Sequence, residues 1–235
     1  MRGALSFLTA FGRARPPGPR TLDWFPLAGA VIGLALGALW WAANRVWSAQ
    51  ISAALVVAAD LGATGLLHFD GLVDSADGLL PHLDRQRRLE VMAAPEVGAF
   101  GVGVAIAVLL MRWAALAAIR PSVILLVALW CLSRTGMAVA ARTQPYARAE
   151  GGLASAFFGA PRWAPLIAGA AVSLGLAFAW RLPAGAVSVT AAVVAGAAVV
   201  WLARRRLGGF TGDVLGAAGV LAETAGLMAA AARWS

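Results

Sequence analysis

The chain predicts a polytopic all-α membrane protein, and three observations point there. First, 61% of its 235 residues are hydrophobic and 13% charged, and its mean hydropathy is +0.79. A soluble domain carries about twice that charge. Second, seven apolar stretches recur: Trp24–Ala43, Ile51–Leu67, Phe100–Ala118, Pro121–Ala141, Trp163–Trp180, Ala184–Ala203 and Val214–Ala232. Each approaches the ~20 residues that ~30 Å of hydrocarbon requires, with Ile51–Leu67 at the short limit. Third, all 19 basic residues are arginine, and they gather in alternate loops.

Arg2, Arg13, Arg15 and Arg20 precede the first stretch, and Arg85, Arg87 and Arg88 follow the second. Arg142, Arg148 and Arg162 follow the fourth, and Arg204, Arg205 and Arg206 the sixth. The remaining loops and the C-terminus hold Arg45, Arg120, Arg181 and Arg233, a ratio of 13 to 4. The positive-inside rule then puts the N-terminus and the arginine-rich loops in the cytoplasm, in the inner membrane of the cell. The formal charge of +8 is therefore mainly a topology signal. Anionic lipid or substrate is the second reading, and nucleic acid is not an expected partner.

Taken in order, residues 12–20 form a Pro/Gly/Arg arm without helical periodicity. The first 23 residues lack a compact apolar core with a small-residue cleavage site, so the first span reads as an uncleaved signal anchor. Residues 68–98 form the longest polar stretch: an acidic segment, a break at Pro81, and a short charged helix over Asp84–Met92. Residues 142–162 and 204–213 are two further loops on the same face. No repeat or linker divides the chain, so residues 1–235 read as one membrane-embedded domain. The lone Cys131 lies within a span and cannot form an intramolecular disulfide. Frequent Ala and Gly in the spans fit close helix packing. Asp60, Arg112, Arg134 and Glu223 interrupt apolar runs. Asp60 is expected to pair with an arginine or be protonated, and Arg112 to snorkel toward the outer face.

Three loop segments carry the candidate chemistry. In His68-Phe-Asp70-Gly71-Leu-Val-Asp74-Ser-Ala-Asp77-Gly78, the aspartates at i, i+4 and i+7 share one helical face. Clustered carboxylates at a membrane edge repel one another and call for a cation. Oxygen ligands select a hard ion such as Mg²⁺, which usually serves phosphate chemistry. Gly71 and Gly78 allow a ligand or another backbone to approach. His68 is a candidate proton acceptor or phosphate donor, with an ordinary interfacial histidine as the plainer reading. The second segment, Gly208-Gly209-Phe-Thr211-Gly212-Asp213, is a glycine-rich turn opening an apolar helix. Such a turn can offer N–H groups to an anion or form a plain turn and cap. The third, Tyr146-Ala-Arg148-Ala-Glu150-Gly151-Gly152, offers Arg148 as a phosphate clamp, although composition alone reads it as an ordinary loop. All three fall on the arginine-rich face. Their convergence suggests phosphoryl or phosphodiester transfer at a metal.

At these residues the chain resembles the cobalamin synthase family. Phe25-Pro-Leu-Ala-Gly29, Leu66–Gly78, Arg88–Met92 with Gly98 and Gly101, Ser133-Arg134 with Tyr146–Gly151, and Leu207–Ala217 resemble five family blocks in order. Two places depart from the family. Ala93–Val97 lacks an acidic and a basic position, and Val220 replaces the first of two glutamates, leaving Glu223.

The resemblance implies a transferase that joins adenosylcobinamide-GDP to α-ribazole or its 5′-phosphate and releases GMP at the cytoplasmic face. It implies Mg²⁺, with Mn²⁺ as a substitute, held by Asp70, Asp74 and Asp77 with Asp213 as a further ligand. His68 or a carboxylate such as Asp74 would take the hydroxyl proton. Arg148, Gly208, Gly209, Thr211 and Gly212 would bind phosphate. Two rivals stand beside it. A CDP-alcohol phosphotransferase has an aspartate motif of partly similar spacing. A transporter would use Asp60, Arg134 and Glu223 as a relay.

Overall fold

In the computed structural model of the chain, the described residues are 1–10, 18, 20–148 and 162–233. Arg13 and Arg15 of the basic arm, and Glu150-Gly151-Gly152 of the third loop segment, lie outside them. The elements in order are α1 (Arg2–Leu8), α2 (Phe25–Ala43), α3 (Ala49–Ala63), α4 (Leu67–Leu79), α5 (Arg85–Val91), α6 (Ala99–Ala118), α7 (Val123–Thr143), α8 (Ala164–Trp180), α9 (Ala184–Leu207) and α10 (Gly212–Ala230). A single 3₁₀ turn over Leu22–Trp24 leads into α2. Extended pairing among the described residues is limited to one isolated bridge between Tyr146 and Phe210.

The protein is thus a multi-pass helical membrane protein, and helix length and composition among the described residues give five or six candidate spans where seven are expected. Among the described residues, five helices are long and apolar enough to cross a membrane. α3 and α4 together would make a sixth, but they are bent by 88° at residues 64–66. Two segments at that angle cannot both follow the membrane normal. α4, with three aspartates, is the more polar of the two. α8, the fifth expected stretch, is a shorter apolar helix whose 17 residues stand at the lower limit for a span.

Close approach of backbones organises the bundle. α2 and α7 run antiparallel, with Gly29, Gly33 and Gly37 of α2 against Trp130, Leu126 and Val123 of α7. A Cβ on Gly33 would lie 2.5 Å from the Leu126 carbonyl oxygen. Without a hydrophobic drive between helices in lipid, such small-residue seams supply the packing.

The charged residues within the spans form one buried network that ties α3, α6, α7 and α10. Arg112 donates to Asp60 at 2.8 Å and also to Glu223. Arg134 and Ser133 donate to Glu223 as well, and the Trp130 indole N–H donates to Asp60 at 3.0 Å. Asp60 therefore pairs with an arginine, one of the two expected outcomes. Arg112 does not snorkel: it is 2% exposed. Two carboxylates facing it give better solvation than a long reach to the headgroups. Two guanidinium groups against two carboxylates leave the network formally neutral, which is how charges persist inside a bilayer.

Candidate active site

α4 is seated by packing on both sides. A Cβ on Gly71 would lie 2.7 Å from the Asp213 carbonyl oxygen, and one on Gly216 would lie 3.0 Å from His68. These two glycines let α4 cross the start of α10 at backbone contact. Of the two uses expected for Gly71, the approach of another backbone is the one observed. At the other end, Arg88 donates to the Gly78 and Leu79 carbonyls at 2.7 and 2.9 Å, and Arg206 donates to Leu79 and Leu80. These are the carbonyls that a helix leaves unpaired at its C-terminus. The arginines here do structural work beyond marking topology.

The three aspartates of α4 meet different surroundings. Asp70 is exposed, Asp74 half-buried and Asp77 buried. Asp77 accepts from the N–H groups of Gly98 at 2.7 Å and Gly101 at 2.8 Å. It caps α6 from a neighbouring helix, each of its oxygens accepting one N–H, a structural role beside the metal-ligand role expected for it. Asp74 is pushed up to about 7 by burial and by the charges of Asp70, Asp213 and Asp77, with Arg148 opposing.

The second and third loop segments are clasped together. Phe210 N–H donates to the Pro145 carbonyl, and Ala147 N–H to the Phe210 carbonyl, both at 2.9 Å. Arg85 ties the clasp from α5, donating to Leu207 at 2.8 Å and Ala147 at 2.7 Å. Arg148 thereby reaches Asp213, with Nη2 3.2 Å from Oδ2. The glycine turn differs from the expected phosphate cradle. Gly208 has φ of 78° and terminates α9, its N–H donating to Arg204. Gly209 abuts the Pro145 carbonyl, and Thr211 is the buried cap of α10, accepting from Val214 N–H at 3.2 Å. Gly208, Gly209 and Thr211 position the loop, whereas Gly212 faces open space.

These elements enclose a cavity of about 230 Å³. His68, Asp70, Tyr146, Arg148, Gly212 and Asp213 line it. Asp74 stands close enough to feel three of them. Both ring nitrogens of His68 and the Nε of Arg148 are buried without a partner. Among the described residues, no three His, Cys, Asp or Glu side chains converge closely enough to cage a metal unaided. The arrangement brings carboxylates, a guanidinium and an imidazole to one polar mouth.

The family model described as cobalamin-5-phosphate synthase matches residues 1–231. The chain belongs to the cobalamin-5-phosphate synthase family. Curated relatives agree. The adenosylcobinamide-GDP ribazoletransferase of Chlorobaculum tepidum is 36% identical over 230 residues, covering 94% of this chain and 91% of the relative. That of Syntrophobacter fumaroxidans is 36% identical, with 97% and 96% covered. That of Brucella ovis is 36% identical, with 90% and 86% covered. No solved structure matches the chain.

Within this family member, sequence reasoning missed α1 and the aromatic wall of the cavity, where Phe7, Phe25 and Phe210 lie. The Arg2–Leu8 helix is too short for a periodicity signal. Its docking on Phe25 is a tertiary fact, with the two rings 6.1 Å apart. Arg85 was counted only toward topology, although a basic side chain beside a helix end is also a signal for binding its carbonyls.

Proposed function

We propose that this chain is an Mg²⁺-dependent adenosylcobinamide-GDP ribazoletransferase of the inner membrane, with its site open to the cytoplasm. It would join adenosylcobinamide-GDP to α-ribazole, or to the 5′-phosphate, and release GMP. The supporting observation is the convergence of His68, Asp70, Arg148, Gly212 and Asp213 on one cavity from three separate loop segments, at the arginine-rich face. The names of the relatives supply the substrates.

The donor set fits a hard cation. Asp70, Asp74 and Asp213 offer oxygen ligands, and burial first, then the charges of Asp70, Asp213 and Asp77, raises Asp74. Mg²⁺ is usually held by one or two carboxylates together with substrate phosphates, so a closed protein cage is not needed. When bound by these aspartates, Mg²⁺ supplies charge neutralisation on the diphosphate. Asp77 is left to its capping role.

Arg148, held by Asp213 through Nη2, lines the cavity and offers its guanidinium to a phosphate oxygen. The ribazole hydroxyl attacks the phosphorus on the cobinamide side. A P–O bond forms there, the bond to the GMP oxygen breaks, and GMP leaves. The hydroxyl proton passes to a carboxylate. The acceptor is a carboxylate that the cation does not engage, since a bound cation lowers the proton affinity of its own ligands. The buried, charge-balanced Asp60–Arg112–Glu223–Arg134 network favours a structural role over a relay.

The test is to incubate the purified protein in lipid with Mg²⁺, adenosylcobinamide-GDP and α-ribazole. GMP and the joined cobamide should appear in equal amounts. CMP release from a CDP-alcohol with no GMP release from adenosylcobinamide-GDP would refute the reading.

A further inference from the structure

A second cavity, of about 430 Å³, lies between α7 and α9, with Ala218 and Ala222 of α10 lining it as well. Both α7 and α9 run toward arginine-rich loops. Glycine opens the space. A Cβ on Gly136 would meet nothing within 4 Å, and one on Gly196 would lie 3.4 Å from the Ala218 carbonyl oxygen. On α9 the lining runs from Ala192 to Arg204, a helical rise of about 18 Å. One leaflet offers about 15 Å of hydrocarbon. The groove therefore has the length of one leaflet, the one on the arginine-rich face. Val193 and Trp201 line it and are 52% and 57% exposed, so it opens sideways to the bilayer. Arg204 stands at its end, Nη1 donating to Gln144 Oε1 at 3.0 Å, and the Arg205 guanidinium lies 4.8 Å from the Trp201 ring.

We propose that this groove holds an acyl chain of an anionic phospholipid from that leaflet, with the headgroup phosphate on Arg204. The site is apart from the acidic one and does not depend on the reaction. Below the Arg204–Gln144 pair the walls are apolar but for Ser133 and Thr143, whose hydroxyls already donate to Glu223 and Val139. Water, which needs several polar partners, gains little there. An empty groove forfeits dispersion contacts along both helices, and a flexible lipid tail restores them. Hydrophobicity does not select that tail, because lipid is apolar on both sides of the exchange. Charge selects the headgroup. Among the described residues, the ion pairs leave Arg204 and Arg205 without a carboxylate, and a guanidinium has donors beyond the one given to Gln144. Basic pockets between membrane helices at this level recognise anionic headgroups. A second copy of the chain is the rival occupant. In a twofold pair sharing the membrane plane, each Arg204–Arg206 cluster would meet its own copy, and like charges oppose that contact.

The test places the full chain in phosphatidylcholine nanodiscs doped with phosphatidylglycerol that carries a diazirine midway along one acyl chain. After illumination, labelled peptides are mapped by mass spectrometry. Labelling should saturate and concentrate on residues 132–144 and 192–204. Excess unlabelled phosphatidylglycerol should suppress it, and excess phosphatidylcholine should not. Arg204→Gln should lower labelling at sub-saturating lipid roughly fivefold, the worth of one basic side chain at the membrane surface. Gly136→Leu, which fills the groove, should remove most of it. Circular dichroism and thermal unfolding identify folded variants, and Arg204→Gln, at the exposed end, serves if Gly136→Leu does not fold. Labelling spread evenly over the lipid-facing helices would overturn the proposal, as would equal competition by phosphatidylcholine or unchanged labelling in the folded variants. Cross-links between two copies at this face would assign the groove to a second copy instead. Suppression by adenosylcobinamide-GDP would assign it to substrate, and either result would overturn the proposal.

Discussion

Asp70, Asp74 and Asp77 lie on one helical face, yet Asp77 alone of the three caps a neighbouring helix. The pleat of contacts around α4 decides this: Asp77 faces the start of α6, where Gly98 and Gly101 present unpaired N–H groups. Asp77→Asn leaves one acceptor where there were two and removes the charge that the helix terminus favours. We expect a loss of about 1–2 kcal/mol in stability, read by thermal unfolding, with turnover per folded molecule reduced far less than in Asp74→Asn. Asp74 makes a different prediction. Metal and proton compete for it, and it is held near 7 when no cation is bound. Below that pH the protonated carboxyl opposes the metal, and above it the carboxylate is free. The Mg²⁺ concentration for half-maximal activity should therefore fall as pH rises from about 6 to 8, and chelator should abolish activity until Mg²⁺ or Mn²⁺ is restored. Full turnover after complete stripping of metal would refute the role of these aspartates.

At the scale of elements, the site exists because α4 and α10 touch through glycine. Gly71→Ala places a methyl group 2.7 Å from the Asp213 carbonyl oxygen, so one helix must shift. A displacement of that size between Asp70 and Asp213 should lower turnover by about 10²-fold, whereas the fold, anchored elsewhere, should unfold at nearly the wild-type temperature. Equal turnover in Gly71→Ala would show that the crossing does not set the site. The sequence announced the acidic segment, the glycine turn and the Arg148 loop because carboxylate spacing and glycine clusters are local signals. It did not announce which glycines bind a ligand and which let helices meet. Gly208, Gly209 and Thr211 read as a phosphate cradle in one dimension and act as a cap, a close approach and a cap in three. The 88° bend after α3 was equally invisible, because the apolar run continues to Leu67.

Across the whole molecule, charge is sorted by depth. The mouth of the cavity and the arginine-rich loops share one face, while Asp60, Arg112, Arg134 and Glu223 cancel within the bundle. Hydropathy made the helical membrane class legible, and the arginine count made a sidedness argument. The partners of the buried charges were not legible, since pairing them needs the register of four helices. Single cysteines at Ala93 and Arg205, in a Cys131→Ala background, should react with impermeant thiol reagents only in inverted vesicles. Labelling in intact cells would reverse the orientation. The central claim is that chemistry belongs to the acidic face and architecture to the buried network. The most direct measurement of it is turnover of Asp74→Asn and Asp60→Asn at matched amounts of folded protein in the same lipid. Asp74→Asn should lose on the order of 10³-fold or more in rate with little change in stability. Asp60→Asn should lose several kcal/mol of stability by leaving two buried guanidinium groups against the single carboxylate of Glu223, while its folded fraction keeps most of its turnover. Near-normal turnover in Asp74→Asn, with collapse of turnover in folded Asp60→Asn, would contradict the account.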